Sequence, residues 1–342
     1  MARVQITVRG AGIFGLSIAY EAARRGAAVH VIDTQGIAAG SSGGFVGAIA
    51  PYAPDDWQMK KAFQLDSLLM ADRFWAQVSA AANLPTGYAR LGRLQSVAGA
   101  RAVEVARLRQ EAAQRHWAGH AVWQVRPCTG AKWEPISPSG YIIEDTLSAR
   151  IDPRLATRAL AGAISALGGT ITIGDAPDQG AVIWATGVAG LEALSQHFGR
   201  KIGGGVKGQA LLLRYQARDL PQISGDSLHI VPHSDGTVAV GSTSENEWDD
   251  PGSTDSRLDA LLARAIGVLP ALEGAPVLAR WAGIRPRPMS LAPILSAWPG
   301  RQGHYIANGG FKIGFGMAPK VAQVMTDLVL DGRDNIPQAF HL

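Results

Sequence analysis

The sequence has very little of what several large classes of protein require. Its 342 residues include a single cysteine, Cys128, so the chain can form neither an internal disulfide nor a cysteine-based metal cluster. The 8 histidines show none of the ligand spacings that mark zinc sites, such as H-E-x-x-H. We therefore predict no metal site.

Long apolar and basic runs are missing as well. No segment reaches the ~18 uninterrupted apolar residues of a membrane helix, and no signal-peptide pattern precedes Gly10. The formal net charge is +4, but no Lys/Arg run accounts for it, so nucleic-acid binding has little support. The charge fits either a solvated surface or an anionic substrate. We expect a soluble, reduced, cytoplasmic protein.

Glycine, by contrast, is abundant, and its first cluster stands in a β-α-β unit. Apolar residues alternate along a strand that ends at Arg9, helical periodicity follows, and a second strand ends at Asp33. The turn between the first strand and the helix is Gly10-x-Gly12-x-x-Gly15. This combination is the fingerprint of a dinucleotide site. Arg9 departs from it, because an apolar residue is expected there; the arginine contacts phosphate or points to solvent.

Each residue of the fingerprint has a physical task. Gly10 permits the tight turn, Gly12 lets the backbone approach a pyrophosphate, and Gly15 lets the helix pack close to the strand. The helix N-terminus offers N–H groups and a positive dipole end to the phosphates. Asp33 can accept hydrogen bonds from ribose hydroxyls. The predicted nucleotide-binding residues of this unit are Gly10, Gly12, Ile13, Phe14, Gly15, Asp33 and Thr34.

Five later segments resemble, in order, motifs of the D-amino-acid oxidase superfamily, and most closely its glycine oxidase and sarcosine oxidase-like branch. They span almost the whole chain and are the small-residue loop Gly40–Ile49, the "A-T-G" segment Ala185-Thr186-Gly187, Val206-Lys207-Gly208-Gln209, Trp281-Ala282-Gly283-Ile284-Arg285-Pro286, and Tyr305–Phe311 followed by Ala318-Pro319. The resemblance implies that the dinucleotide is FAD. Cys128 lies outside any segment that resembles an attachment site, so we expect noncovalent binding.

The resemblance also implies the fold and further cofactor contacts. The expected fold is α/β (α+β overall), with a Rossmann-like FAD-binding domain (1–83, 146–202 and 281–342) interleaved with a mixed β-sheet substrate-binding domain (84–145 and 203–280). Helices are expected over 57–83 and 101–115, and Pro319 in the first turn of a final helix that ends at Gly332. The further expected FAD contacts are Ser41, Ser42, Gly43, Gly44, Ala185, Thr186, Gly187, Arg285, Gly309, Gly310, Phe311 and Lys312.

On the substrate side, the resemblance points to Arg285, whose counterpart in the family pairs with the substrate carboxylate; the alternative is an arginine that joins two segments. His229 stands where many relatives have a tyrosine, in "Y-I-V-P", and serves as hydrogen-bond donor, as proton acceptor or as filler. Lys312 adds positive charge beside the flavin or faces solvent. Arg287 and Tyr52 are further candidates.

The implied reaction is FAD-dependent oxidation of a small amine or amino acid that carries a carboxylate. Hydride would pass from the substrate to flavin N5, and dioxygen would reoxidise the flavin to give hydrogen peroxide. Two alternatives keep the fold: a dehydrogenase that passes electrons to quinone or another carrier, and a 2-hydroxyacid oxidoreductase. A third is a non-catalytic nucleotide-binding protein. The sequence does not specify the substrate, its enantiomer or the oligomeric state.

Overall fold

The computed structural model describes residues 3–342, in which strands and helices alternate over most of the chain. The helices are α1 (Ile13–Arg24), α2 (Met59–Ala82), α3 (Ala100–His116), α4 (Pro153–Ala166), α5 (Gly187–His197), α6 (Arg257–Val268) and α7 (Gly314–Asp331). The strands are β1 (Gln5–Arg9), β2 (Ala28–Asp33), β3 (Ala48–Ile49), β4 (Arg93–Ser96), β5 (Trp123–Pro127), β6 (Tyr141–Asp145), β7 (Ala149–Arg150), β8 (Thr170–Ile173), β9 (Ala181–Trp184), β10 (Gly203–Arg214), β11 (Gln222–Gly225), β12 (Leu228–Pro232), β13 (Thr237–Gly241), β14 (Val277–Pro288), β15 (Ile294–Ala297) and β16 (His304–Asn308).

Six of the strands form a sheet with the order β15-β16-β9-β1-β2-β8. All neighbours in it are parallel except β15 and β16. The first strand of the chain is therefore central, and its residues Ile6, Thr7 and Val8 are buried. Helix α1 packs against α4 and α7, and Arg25 on its C-terminal side pairs with Asp327 and Asp331 of α7. This is the expected Rossmann-like unit.

The second large sheet has eight strands in the order β14-β10-β13-β12-β11-β4-β6-β5. Its strands are antiparallel except for β4 and β11, so the sheet is mixed, as expected. Strand β14 pairs with β10 from Val277 to Pro288. The predicted domain boundary at residue 281 thus falls inside a continuous strand of the eight-stranded sheet.

The helices expected over 57–83 and 101–115 are present as α2 and α3. Helix α7 ends at Gly332, which has a φ of 67°, as expected. The placement of Pro319 in the first turn was wrong, because α7 begins at Gly314 and Pro319 lies inside it. Met317 and Ala318 are fully buried, so tertiary packing holds these residues helical beside a proline that donates no hydrogen bond. Among residues 3–342, no helix combines the length and hydropathy needed to cross a membrane.

Candidate active site

The glycine turn after β1 is packed so tightly that side chains are excluded at two positions. Gly10 has a φ of 110°, and an added Cβ would lie 2.3 Å from the carbonyl oxygen of Ala185. A Cβ on Gly15 would lie 1.9 Å from the carbonyl oxygen of Gly10. In front of Gly12, by contrast, the closest atom to an added Cβ is Ser42 Oγ at 3.3 Å. The turn therefore leaves its open side at Gly12, where a pyrophosphate approaches in sites of this type.

Asp33 at the end of β2 holds this turn together. Its Oδ2 accepts a hydrogen bond from Ala11 N at 2.7 Å, and its Oδ1 accepts from Gln35 N at 2.9 Å and Gly36 N at 3.0 Å. A carboxylate has about four acceptor positions, so one is left for a ribose hydroxyl. Thr34, the next predicted contact, is exposed beside it.

Arg9 points away from the nucleotide turn. Its Nε donates to Asp178 at 2.7 Å and its Nη1 to Asp175 at 3.2 Å, while its Nη2 donates to the carbonyl of Ala176 at 3.0 Å. The guanidinium also lies 5.4 Å from the ring centre of Trp184. Of the two roles left open, phosphate contact or a surface position, the structure gives the second, with Arg9 fixing the 175–178 segment.

The small-residue loop crosses from the nucleotide turn to the eight-stranded sheet. Ser42 is buried and its Oγ accepts a hydrogen bond from Ile13 N at 3.0 Å. Gly44 lies under Trp281 of β14, whose ring atoms would be 3.1 Å from an added Cβ. Further on, the carbonyl of Phe45 contacts His233 Nε2 at 3.0 Å. The loop, which includes Ser41 and Gly43 in one short turn of 3-10 helix, is thus held from both sides.

The remaining predicted cofactor segments meet on the other side of the glycine turn. Ala185 N donates to the carbonyl of Arg9 at 2.7 Å. Asn308 donates through Nδ2 to the carbonyl of Gly187 at 2.8 Å and accepts from Gly309 N at 2.7 Å, so Thr186, Gly187 and Gly309 are neighbours. A Cβ added at Gly310 would lie 3.1 Å from Cζ of Phe14, and one added at Gly314 would lie 3.2 Å from Cγ2 of Ile13, so both glycines pack closely against the start of α1.

These segments fit a dinucleotide. The glycine turn has its open side next to the N-terminus of α1, where Gly12 provides no side-chain cap and Ser42 Oγ accepts from Ile13 N. The acid at the end of β2 keeps one acceptor position, and the small-residue loop leads from the phosphate turn to the second sheet. The glycine turn would hold the phosphates of FAD, Asp33 a ribose hydroxyl, and the small-residue loop the ring system.

A cavity of about 190 Å³ lies where the loop reaches the eight-stranded sheet. Residues 48–52 form one side, and Arg93, His229 and Lys312 are on the others. Tyr52, one of the sequence candidates, is among its lining residues. No acidic side chain of residues 3–342 lines the cavity. The site therefore combines one guanidinium, one lysine amine and one imidazole.

His229 is neutral at physiological pH. Burial and the positive charges of Arg93 and Lys312 lower its pKa to about 4. Its Nδ1 is buried and has no hydrogen-bond partner in the part of the chain that the structure describes. Of the roles left open, a neutral hydrogen-bonding group suits this environment, whereas a base that takes up a proton near pH 7 does not.

Arg285 lies on β14 and is not among the residues lining the cavity. Its Nη1 donates to Ser242 Oγ at 2.7 Å, and its Nη2 donates to the carbonyls of Thr243 at 2.8 Å and Lys207 at 3.1 Å. The guanidinium thus joins β10 to the segment after β13, which is the structural role considered for it. Its Nε–H is buried and has no partner among residues 3–342.

Three cations surround the ring of Phe311, which follows the last glycine pair. Arg285, Arg287 and Lys312 lie 5.8, 5.9 and 5.6 Å from its centre. Partial burial and the charges of both arginines lower the pKa of Lys312. Lys312 is exposed and also lines the cavity, so it links this cationic cluster to the space around His229.

Two residues of the site were not found from the sequence. Gln64 of α2 is buried, accepts from Tyr52 N at 2.6 Å and donates to the carbonyl of Ala50 at 3.3 Å, which fixes the end of the loop. Arg93 begins β4 and reaches the cavity from a strand that carries no motif. The sequence offers no motif that singles Arg93 out.

The comparison with known families gives the same classification for almost the whole chain. The family model described as FAD dependent oxidoreductase, DAO, matches residues 5–328. This protein therefore belongs to the DAO family of FAD dependent oxidoreductases.

Individual relatives are similar over part or all of the chain. Glycine oxidase of Pseudomonas putida is 37% identical over 125 residues, which are 36% of this chain and 34% of that protein. The chain thus aligns with about a third of that relative's length. The fold matches crystal structures of glycine oxidase from Geobacillus kaustophilus (TM-score 0.85, 19% identity, 100% and 99% of the two chains) and of iminodiacetate oxidase from Chelativorans sp. BNC1 (TM-score 0.86, 22% identity, 98% of each chain).

Proposed function

We propose that this protein oxidises a small amine or amino acid that carries a carboxylate, with noncovalently bound FAD as its redox group. The observation that carries the proposal is the cavity beside the small-residue loop, where Arg93, His229 and Lys312 face one space that no carboxylate of residues 3–342 lines. Such a site favours an anionic molecule of few atoms, since about 190 Å³ is less than the ~300–1,000 Å³ of sites for larger ligands.

The protein's own groups would bind and orient the substrate. Lys312, with Arg285 and Arg287 behind Phe311, supplies positive charge for a carboxylate. A neutral His229 offers one nitrogen donor and one nitrogen acceptor, so it can hold the substrate amine without competing for its proton. FAD, when bound, would supply the redox chemistry, a two-electron oxidation of the substrate C–N bond to an imine with dioxygen as the proposed final acceptor and hydrogen peroxide as its product.

An anaerobic substrate screen tests the proposal directly. Amino acids of both enantiomers, N-alkyl glycines and 2-hydroxyacids are mixed with the holoprotein, and bleaching of the flavin absorbance is recorded. We expect reduction by carboxylate-bearing amines and none by hydroxyacids. Air is then admitted with and without a redox dye, because peroxide formation supports an oxidase and dye reduction without peroxide supports a dehydrogenase. A protein that binds no FAD on reconstitution contradicts the proposal altogether.

Two arginine variants test the carboxylate contact. Arg285→Met removes the guanidinium that the family resemblance selects, and Arg280→Met is its matched control five residues earlier on the same strand, where the side chain pairs with Asp259. If Arg285 binds the carboxylate, its variant raises KM about ten- to a hundredfold and keeps FAD, whereas the Arg280 variant changes KM little. Unchanged turnover in Arg285→Met removes this residue from the substrate site.

A further inference from the structure

Arg93 sits in the cavity wall with most of its hydrogen-bonding capacity unused. Its side chain is 8% exposed, and its Nε donates to Asp145 Oδ2 at 2.8 Å. That is the only hydrogen bond its guanidinium makes with residues 3–342. The terminal nitrogens Nη1 and Nη2 are not among the buried unpartnered atoms, and Arg93 lines the cavity. Its two free ends therefore face that space.

The guanidinium is also held in a fixed orientation. Asp145, whose side chain is fully buried, accepts from Ser148 N at 2.7 Å and from Ser148 Oγ at 3.0 Å. On the other side, the guanidinium carbon lies 5.9 Å from the ring centre of Trp123. An arginine fixed at Nε with both terminal nitrogens free presents the fork that binds a carboxylate in two parallel hydrogen bonds. The site is therefore preorganised for a planar anion.

Stability alone explains this pair poorly. Replacing a buried ion pair by apolar residues of similar size is often neutral or stabilising, so an arginine in a cavity wall points to something that it binds. Lys312 is a second cation that lines the same cavity. It belongs to the group of cations around Phe311, which the proposed function assigns to the substrate carboxylate. The positive charges of Arg93 and Lys312 both lower the pKa of His229. The cavity thus has two separate positions for negative charge.

We propose that Arg93 binds a second acidic group of the substrate, so that the preferred substrates are small amines with two carboxylates. This rests on the proposed function, because it names the substrate class of the same site. One carboxylate lies towards Lys312 and the Phe311 cluster, the other accepts two hydrogen bonds from Nη1 and Nη2 of Arg93, and the amine lies between them beside His229.

The test compares matched substrates with variants that protect the fold. Arg93→Lys keeps a positive charge beside Asp145 but removes the fork, and Arg93→Gln combined with Asp145→Asn removes both charges together. Arg126→Lys is the control, since Arg126 of β5 pairs with Glu144 of β6 and with Glu134 and does not line the cavity. Anaerobic flavin reduction by iminodiacetate and aspartate is measured beside sarcosine and alanine, with both enantiomers of each amino acid.

We expect the wild type to have the higher kcat/KM with the dicarboxylates. Both Arg93 variants lower that value about ten- to a hundredfold, through KM, and lower it by a smaller factor with the monocarboxylates, so that the dicarboxylate preference is lost, while Arg126→Lys changes neither. Equal use of both substrate classes by the wild type, or an equal loss for both in the variants, overturns the proposal.

A binding measurement separates this inference from the proposed function. Calorimetric titration of the FAD-loaded protein with malonate and succinate, and with acetate as the monocarboxylate, requires no turnover. If no amine reduces the flavin, the proposed function fails, and the inference is then decided by this titration. Tighter binding of dicarboxylates that is lost in Arg93→Lys supports the anion position, whereas the same affinity in wild type and variant overturns it.

Discussion

The guanidinium of Arg285 lies directly over the backbone of Gly208, which pairs with the same strand. A Cβ at Gly208 would be 2.7 Å from Cζ and 2.7 Å from Nη2 of Arg285. Because Gly208 has no side chain, the guanidinium of Arg285 can reach Ser242 and Thr243. In the family resemblance this glycine belongs to the segment Val206-Lys207-Gly208-Gln209, and its physical task here is to leave room for a side chain of the neighbouring strand.

Gly208→Ala is expected to displace Arg285. The added methyl group displaces the guanidinium from its three hydrogen bonds. We therefore expect the free energy of unfolding to decrease by about 1–3 kcal/mol and carboxylates to bind more weakly. Gly204→Ala is the matched control, because Gly204 is on the same strand and an added Cβ there meets nothing within 4 Å. Urea unfolding and inhibitor titration measure both effects. Equal behaviour of the two variants would show that Arg285 adapts at no cost.

Gly15→Ala is expected to abolish FAD retention. Its Cβ would collide with the backbone of Gly10 at 1.9 Å, and backbone cannot rotate away as a side chain can. The matched control is Gly267→Ala, in the last turn of α6 with open space around it, which should stabilise the protein by up to about 1 kcal/mol. Flavin content after purification and after reconstitution decides the matter, and a flavin-saturated Gly15→Ala protein would contradict the assignment of the turn.

Arg9→Gln is expected to leave FAD affinity unchanged. The Arg9 side chain is engaged by Asp175, Asp178 and a carbonyl at the surface, on the far side from the open face of the turn. Because such partly exposed pairs contribute at most about 1 kcal/mol, a small loss of stability is expected as well. Titration of the apoprotein with FAD measures the affinity. A tenfold or greater loss of FAD affinity would indicate that Arg9 contacts a phosphate, in contradiction to the structure.

The low pKa of His229 predicts how stability depends on pH. The unfolded chain takes up a proton near pH 6.5, whereas the folded protein does so only near pH 4, so between these values the unfolded state binds more protons. Stability should therefore fall as pH decreases from 6.5 to 4, by about 3 kcal/mol from this group. His229→Gln should lose that dependence. Urea unfolding of the apoprotein at several pH values compares the two, and parallel curves would refute the assignment.

The sequence predicts those parts of the site that are fixed by local geometry. Gly10, Gly15 and Asp33 stand in one β-α-β unit, and the structure gives each of them a backbone reason to be there. The roles of Arg285, His229 and Lys312 came from the family resemblance, and they stay predictions. The substrate contacts of this chain remain to be measured.

Arg93 could not be predicted in the same way. It reaches the cavity because β4 lies parallel to β11, which pairs Arg93 with Gln222, 129 positions later in the chain. Gln222 in turn donates to the carbonyl of Ile49 at 3.1 Å and so holds the small-residue loop against this strand. Neither residue belongs to a motif. The two residues pair because of the order of strands in the sheet, which patterns in a single sequence do not predict. Pro319 was misplaced for a related reason, since burial overrode its local preference.

The position of β1 at the centre of its sheet has a consequence for biosynthesis. The strand and its glycine turn are made before the neighbour on one side, β9, which comes more than 170 residues later, and before β16 and α7. Pairings of such sequence separation form late, because loop closure must precede them. The nucleotide turn is thus made before the rest of the site and is among the last parts of the site to be completed. We expect FAD to load only after β16 and α7 have been made, so that cells short of flavin would accumulate chains whose protease-sensitive region is the β1–α1 unit.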